Sequence, residues 1–172
     1  MDKDNTETAA SKNKDVGVKV WHSNLPRPPG YEEYKFPCKI DKPWGWERWL
    51  ELWHDPELRR GYCMKHLFIK KGTRTSLQRH KLKIETNFLI QGKVEAYLEN
   101  EAGEMEMRIM EAGNPTCDTW TIPTDKTHRI YALTDIYLVE ASTHDVDDVT
   151  RMADDSGRGS GKIDSEHDRA KE

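Results

Sequence analysis

The chain has 172 residues, 35% of them hydrophobic, and its 27 basic and 31 acidic side chains leave a formal charge of -4. That length fits one domain with tails, and a mean hydropathy of -0.93 implies an ordered core smaller than the chain. Basic residues are scattered rather than striped, which speaks against a nucleic-acid groove. No apolar run approaches the roughly 18 residues of a membrane span, and the polar start MDKDNTETAA has no signal-peptide apolar region, so a soluble cytoplasmic protein is expected.

Residues 1–18 are polar with little to bury and are expected to form a flexible tail. Val18 to Trp21 could form a short strand, and the proline-rich LPRPPGY, Leu25 to Tyr31, should be an extended arm. KPWGWERWLELW, Lys42 to Trp53, reads as a strand with Trp44, Trp46, Arg48, Leu50 and Leu52 on one face and Glu47, Trp49, Glu51 and Trp53 on the other. Its tryptophans suit either a sugar-stacking platform or sheet packing, the latter being the commoner use of such large rings. His54 to Gly61 then carries the Asp-Pro start and Gly end of a turn, and YCMKHLFIK, Tyr62 to Lys70, reads as a further strand.

The densest chemistry lies between Gly72 and Gly92, in GTRTSLQRHKLKIETNFLIQG. Gln78 and His80 are two apart and share a strand face, while KLKI leaves room for a turn that delivers Glu85 from the next strand. Three potential metal donors therefore converge, and the two glycines sit where a hairpin of a small barrel needs tight turns or positive φ. Lys93 to Asn100 and Gly103 to Gly113 alternate as a hairpin about NEAG. Asp118 to Pro123, His128 to Leu133 and Asp135 to Ser142 are further strands, with TDKT as a turn. At least seven short strands with almost no helical periodicity predict an all-β antiparallel barrel or sandwich. Thr143 to Met152 could include one helical turn. Residues 159–172, rich in Gly, Ser and charge, are expected to be a disordered tail. Cys38, Cys63 and Cys117 are odd in number and lack CxxC spacing, so free thiols are expected.

The spacing Gly72, Gln78, His80, Glu85, Gly92 resembles the first motif of the cupins, with Gln in place of the usual first His, and Pro123 to His128 resembles the second, with Asp125 where Gly is usual. SLQRH with Glu85, IPTDKTHRI, the upstream KPWGWE and the downstream DDVTRMADDSGR together resemble the cupin domain of type II mannose-6-phosphate isomerases, a domain that in many relatives follows a mannose-1-phosphate guanylyltransferase domain. The resemblance covers about Ile40 to Arg158 and implies a single jelly-roll domain at residues 19–158, arm included. It also implies His128 as a fourth ligand and, because small cupins commonly add an N-terminal segment to a partner's sheet, a homodimer.

Two imidazoles, a carboxylate and an amide oxygen suit Zn foremost, or Mn, Co, Ni or Fe, and leave positions for substrate oxygens. Such a centre could act as a Lewis acid on a hydroxy-aldehyde and stabilise an enediolate. Glu140, in the apolar YLVEAS, is the first candidate for the proton shuttle, and the resemblance points Lys65, with Leu67 and Ile69, into the cavity. Arg129 follows His128 as in the family and could fork onto a phosphate, although a residue directly after an inward ligand should face the other way. The expected function is a metal-dependent isomerase of sugar phosphates, converting mannose 6-phosphate and fructose 6-phosphate. An iron-dependent oxygenase and a non-catalytic sugar-binding cupin are the alternatives.

Overall fold

The computed structural model describes residues 25–171, so the expected tail at residues 1–18 and the short strand at Val18 to Trp21 lie outside the described residues. Eleven strands follow one another among them: β1 (Cys38–Lys42), β2 (Gly45–Asp55), β3 (Arg60–Ile69), β4 (Leu77–Arg79), β5 (Glu85–Gln91), β6 (Lys93–Glu99), β7 (Met105–Glu111), β8 (Thr119–Ile122), β9 (His128–Ala132), β10 (Ile136–Ser142) and β11 (Thr150–Ala153). They form two antiparallel sheets, in the orders β1-β2-β3-β10-β5-β8 and β11-β4-β9-β6-β7. The all-β antiparallel sandwich expected from the strand spacing is therefore the fold, in the two-sheet jelly-roll form that the resemblance implies. Among the described residues no helix is long and apolar enough to cross a membrane.

The alternation of side chains builds both the core and the site. Along β10, Ile136, Leu138 and Glu140 point inward, and antiparallel pairing sets them beside Ile69, Leu67 and Lys65 of β3. On the other flank of β10, Leu138 meets Leu89 and Glu140 meets Asn87 of β5. The inward rows thus run from apolar to polar along the barrel. In the facing sheet Ala132 and Ile130 of β9 repeat the change and end at His128. Leu67, Ile69, Leu89, Val94, Ala132, Ile136 and Leu138 are all buried in one cluster, which closes one side of the polar rows by removing apolar surface from water. A second cluster around Tyr31, Tyr34, Trp49, Leu52 and Cys63 closes the other side.

Gly72 and Gly92 have φ of +79° and +94°, the left-handed region that glycine enters without strain. At Gly92, between β5 and β6, a Cβ would also lie 2.5 Å from the Asp135 carbonyl oxygen, so this turn admits no side chain. The turn before β9 is held differently. Asp125 takes φ +59°, which Asp tolerates better than most residues, and its N–H donates to the His80 carbonyl at 2.6 Å. The residue that departs from the usual Gly of the second motif thereby joins the two motifs.

Three expectations need correction. The strict alternation along β2 fails because a bulge falls between Trp49 and Glu51 and slips the register by one residue. Glu47 and Trp49 face the interior, and Leu52 joins Trp49 on the buried side. Trp46 lies on the outer face against His66, Phe68 and Tyr137. Nor does the proline-rich segment run out as an extended arm. Two turns, Tyr31 N–H to the Pro28 carbonyl and Tyr34 N–H to the Tyr31 carbonyl, fold it onto its own barrel, where Tyr31, Tyr34 and Phe36 are buried.

The third correction concerns residues 159–172, expected to be disordered. A short helix, α1 (Asp164–His167), and a 3-10 turn at Asp168–Lys171 pack on the barrel, with His167 and Ala170 buried. Polar groups anchor the segment where apolar ones are few. The Arg151 guanidinium donates to the carbonyls of Gly159 and Gly161, Arg158 pairs with Asp154 at 2.8 Å and Glu166 at 3.3 Å, and Lys42 reaches Glu166 at 2.8 Å. His167 sits against Trp49, ring centroids 5.5 Å apart and perpendicular, and its Nδ1 is 3.1 Å from the Tyr34 hydroxyl.

Burial among these rings, with Lys42 nearby, pushes the His167 imidazole down to about 3. The unfolded chain takes up this proton near the ordinary 6.5 and the folded chain only near 3, so the contribution to stability is complete above pH 6.5 and is lost as pH falls towards 3. We expect the unfolding free energy to drop by on the order of 1 kcal/mol through this group by pH 5.5. In His167→Gln the slope of stability with pH across that window should flatten, as measured by denaturant unfolding between pH 7.5 and 5. An unchanged slope would exclude His167 as the source.

Candidate metal centre

Between the sheets lies a cavity of about 90 Å³, walled by His80, Glu85, Asn87, His128 and Glu140 and by Lys42, Lys65 and Lys83. The end of β4 supplies Gln78 and, one residue past it, His80; β5 begins at Glu85; β9 begins at His128, whose partner in the sheet is Gln78. His80, Glu85 and His128 are 1%, 4% and 3% exposed, so each is out of bulk water. Their ligand atoms all lie within 4.8 Å of one another. His80 Nε2 is 3.6 Å from one Glu85 oxygen and His128 Nε2 is 3.5 Å from the other.

These spacings fit a shared ion. Two ligand atoms each about 2.1 Å from a tetrahedral metal stand about 3.4 Å apart, close to both separations. Both rings are also turned the right way. His80 Nδ1–H donates to the Asp148 carbonyl and His128 Nδ1–H to the Lys126 carbonyl at 3.1 Å, which leaves both Nε2 lone pairs aimed at Glu85. Among the described residues His80 Nε2 is buried with no hydrogen-bond partner, an arrangement that is costly unless something else binds there. Burial pushes the His128 pKa down, favouring the neutral ring that coordination needs. Burial alone would raise Glu85, but Lys83 and the two imidazoles outweigh it and hold the carboxyl well below its ordinary range. Gln78 completes the rim, its amide 3.4 Å from His128 Nε2. An amide turned with its oxygen inward offers a fourth donor at the same place.

Beside this cluster lies a chain of buried charges. Lys83 contacts Glu85 and lies 2.7 Å from Glu140, while Lys65 lies 3.6 Å from Glu140 on one side and 3.6 Å from Glu47 on the other. Lys65 also stacks over the Trp49 ring at 4.4 Å. For both lysines burial opposes the charge, but the neighbouring glutamates more than offset it and raise the pKa. Lys42 and Lys65 act the same way on Glu47, overcoming burial to bring it down to about 2. Within this cavity Lys42, Lys65 and Lys83 are thus interleaved with Glu47, Glu85 and Glu140.

Of the expected site residues, Gln78, His80, Glu85, His128, Lys65 and Glu140 meet in this cavity. Arg129 does not, because it follows an inward-facing residue on a regular strand and projects from the opposite face. It donates to the carbonyls of Thr75 at 3.0 Å and Ala153 at 3.2 Å and borders an outer groove with Leu77, Tyr97 and Tyr131. The arginines that do reach the cavity are Arg151 and Arg158, both in DDVTRMADDSGR and both bonded to the Ser76 hydroxyl. Lys83 was also missed. It sits two residues before Glu85, the same spacing that marked Gln78 and His80. Asp148 is a further unforeseen member, since its carboxylate accepts from the N–H groups of Leu82 and Lys83 while its carbonyl orients His80.

No protein-family model matches the sequence, and no curated protein is significantly similar to it. Likeness appears in structure. A variant of oxalate decarboxylase from Bacillus subtilis superposes with a TM-score of 0.54 at 17% identity, covering 66% of this chain and 30% of that one. KdgF from Halomonas sp. superposes with a TM-score of 0.50 at 19% identity, covering 64% of this chain and 88% of that one. The chain therefore spans less than a third of the oxalate decarboxylase, a protein with Mn(II) centres. Both neighbours are cupins, and what this chain shares with them at such low identity is the cupin fold.

Proposed function

We propose that the chain is a metal-dependent aldose-ketose isomerase acting on a sugar phosphate, with mannose 6-phosphate and fructose 6-phosphate as its substrate pair. The observation that carries this reading is the position of Glu140, a buried carboxylate paired to Lys83 and Lys65 in the same cavity as the His80, Glu85 and His128 donors. A divalent cation held by those donors would supply Lewis-acid polarisation of a carbonyl and its adjacent hydroxyl. Glu140 takes the proton from C2 of the aldose and returns it to C1 while the proton on O2 passes to O1, and its two lysine partners keep the carboxylate at a fixed place. The cavity is lined by Lys42, Lys65, Lys83, Lys162, Arg151 and Arg158 against Glu47, Glu85, Glu140 and Asp147, so a bound dication adds to an existing excess of positive charge, which suits a phosphate dianion.

Size adds a condition. A cavity of about 90 Å³ is below the roughly 300 to 1,000 Å³ of ordinary ligand pockets. Lys162, Ile163 and His167 of the C-terminal segment form part of its wall, so a hexose phosphate enters as that segment moves outward. The resemblance to small cupins also leads us to propose a homodimer, which sedimentation equilibrium reads directly.

The test is interconversion of the two sugar phosphates by purified protein as isolated, after chelation, and after return of Zn, Mn, Co or Ni singly. Turnover should vanish with chelator and return with at least one metal; a folded protein that stays inactive under every condition would exclude this substrate pair. A second reading is favoured by one specific observation, that two histidines and one carboxylate also make the donor set of iron oxygenases. Uptake of dioxygen in the presence of Fe(II) would favour it over isomerisation.

A further inference from the structure

Lys83 has no part in the ligand set, yet it is among the most enclosed groups of the site, at 3% exposure. Its ammonium lies against the Glu85 oxygen that faces His80 Nε2, and 2.7 Å from Glu140. Its backbone N–H is fixed as well, donating to the Asp148 carboxylate at 3.2 Å, and Asp148 is the residue whose carbonyl orients His80. The lysine is therefore built into the turn between the donors rather than draped over them. We infer that Lys83 is an internal cation that competes with a divalent metal for Glu85 and so sets how tightly the centre holds its metal. This rests on the reading of His80, Glu85 and His128 as a metal centre.

The electrostatic reasoning is direct. One oxygen of Glu85 cannot satisfy an ammonium and a dication at full strength in a dry cavity, because the two positive charges repel through the carboxylate they share. Metal uptake must loosen the Lys83 to Glu85 contact, leaving Glu140 as the partner that keeps the ammonium paired. Removing the charge frees that oxygen, while Lys65, 3.6 Å from Glu140, still pairs the second carboxylate, leaving two imidazoles and the Glu85 carboxylate without a competing cation. Such a set binds divalent ions more strongly than the native one.

The test is isothermal calorimetry of chelator-treated protein with MnCl2 and then ZnCl2, on the natural chain, Lys83→Met, Lys83→Gln and Lys83→Arg. Both neutral variants should bind roughly 10- to 100-fold more tightly, the effect of removing one like charge from beside the metal, whereas Lys83→Arg, which keeps the charge, should stay within about threefold of the natural chain. The metal-free neutral variants should melt at lower temperature than the natural chain and gain more on adding MnCl2, a readout that also serves if either variant folds poorly without metal. Affinity unchanged or weakened in both neutral variants would overturn the inference, as would equal tightening in Lys83→Arg. Isomerase activity does not enter these measurements. The predicted order of affinities without sugar turnover removes the isomerase and keeps the inference; metal-dependent turnover without tightening does the reverse. Absence of binding in every protein removes both.

Discussion

Replacing His80 with alanine is expected to abolish metal uptake at stoichiometric concentrations and to lower isomerase turnover by at least a thousandfold. The ring does two things that no neighbour can take over. Its Nε2 is a buried donor with no other partner among the described residues, and its Nδ1–H fixes the Asp148 carbonyl, whose residue in turn fixes the turn carrying Lys83. Loss of a direct ligand should weaken metal binding by more than the 10- to 100-fold typical of losing an outer partner. The expected fold is retained, because the ring lies in the polar rows and belongs to neither apolar cluster. Circular dichroism and the unfolding midpoint in chelator should therefore stay close to those of the natural chain, while calorimetry with MnCl2 shows no saturable heat. Retention of both binding and turnover would place the metal elsewhere.

Gln78, His80 and Glu85 were legible in the sequence because their placement depends on two short-range rules, alternation on a strand and the room needed for a turn, whereas His128 was reached through the resemblance of Pro123 to His128 to the second cupin motif. Glu140 was legible for a related reason: a carboxylate in an otherwise apolar strand has to face something. Trp49 shows where such rules stop. The bulge beside it carries no mark in composition, so every face assigned beyond it along β2 inverted. Arg129 failed differently. Its role came from the resemblance, while strand alternation already turned it to the face opposite His128, and alternation is what the structure follows.

The order of residues 159–171 was hidden for a third reason. Arg151, Arg158 and Lys42 hold that segment by polar contacts, two of them to Ser76 and one from Lys42 to Glu166, more than 70 residues away in the chain. A stretch rich in Gly, Ser and charge looks unable to fold when only its own residues are counted. Lys83 was within reach of the same two-residue spacing, but KLKI reads as a spacer until the ammonium is seen between two carboxylates.

At saturating metal, Glu140→Gln should lower kcat by 10² to 10⁴, the usual worth of one positioned acid-base group, while leaving KM within a few fold; metal itself should bind more weakly, because Lys83 keeps only Glu85 as a carboxylate partner. The substitution keeps the shape and hydrogen-bonding capacity of the side chain, and the Lys65 ion pair to Glu47 survives it. What disappears is the ability to carry a proton between adjacent carbons. Isotope exchange separates this from a general weakening of the site: the natural enzyme should wash solvent deuterium into C2 of the aldose, and the variant should lose exchange in parallel with turnover. Turnover within threefold of the natural chain would remove Glu140 as the shuttle and pass the role to Lys65, the other expected group within reach of the same space. Exchange retained with isomerisation lost would instead mean that another group takes the proton from C2 and that Glu140 is needed for its delivery to C1. Both lysines would then be the groups to alter next, since their ion pairs set where the carboxylate can move.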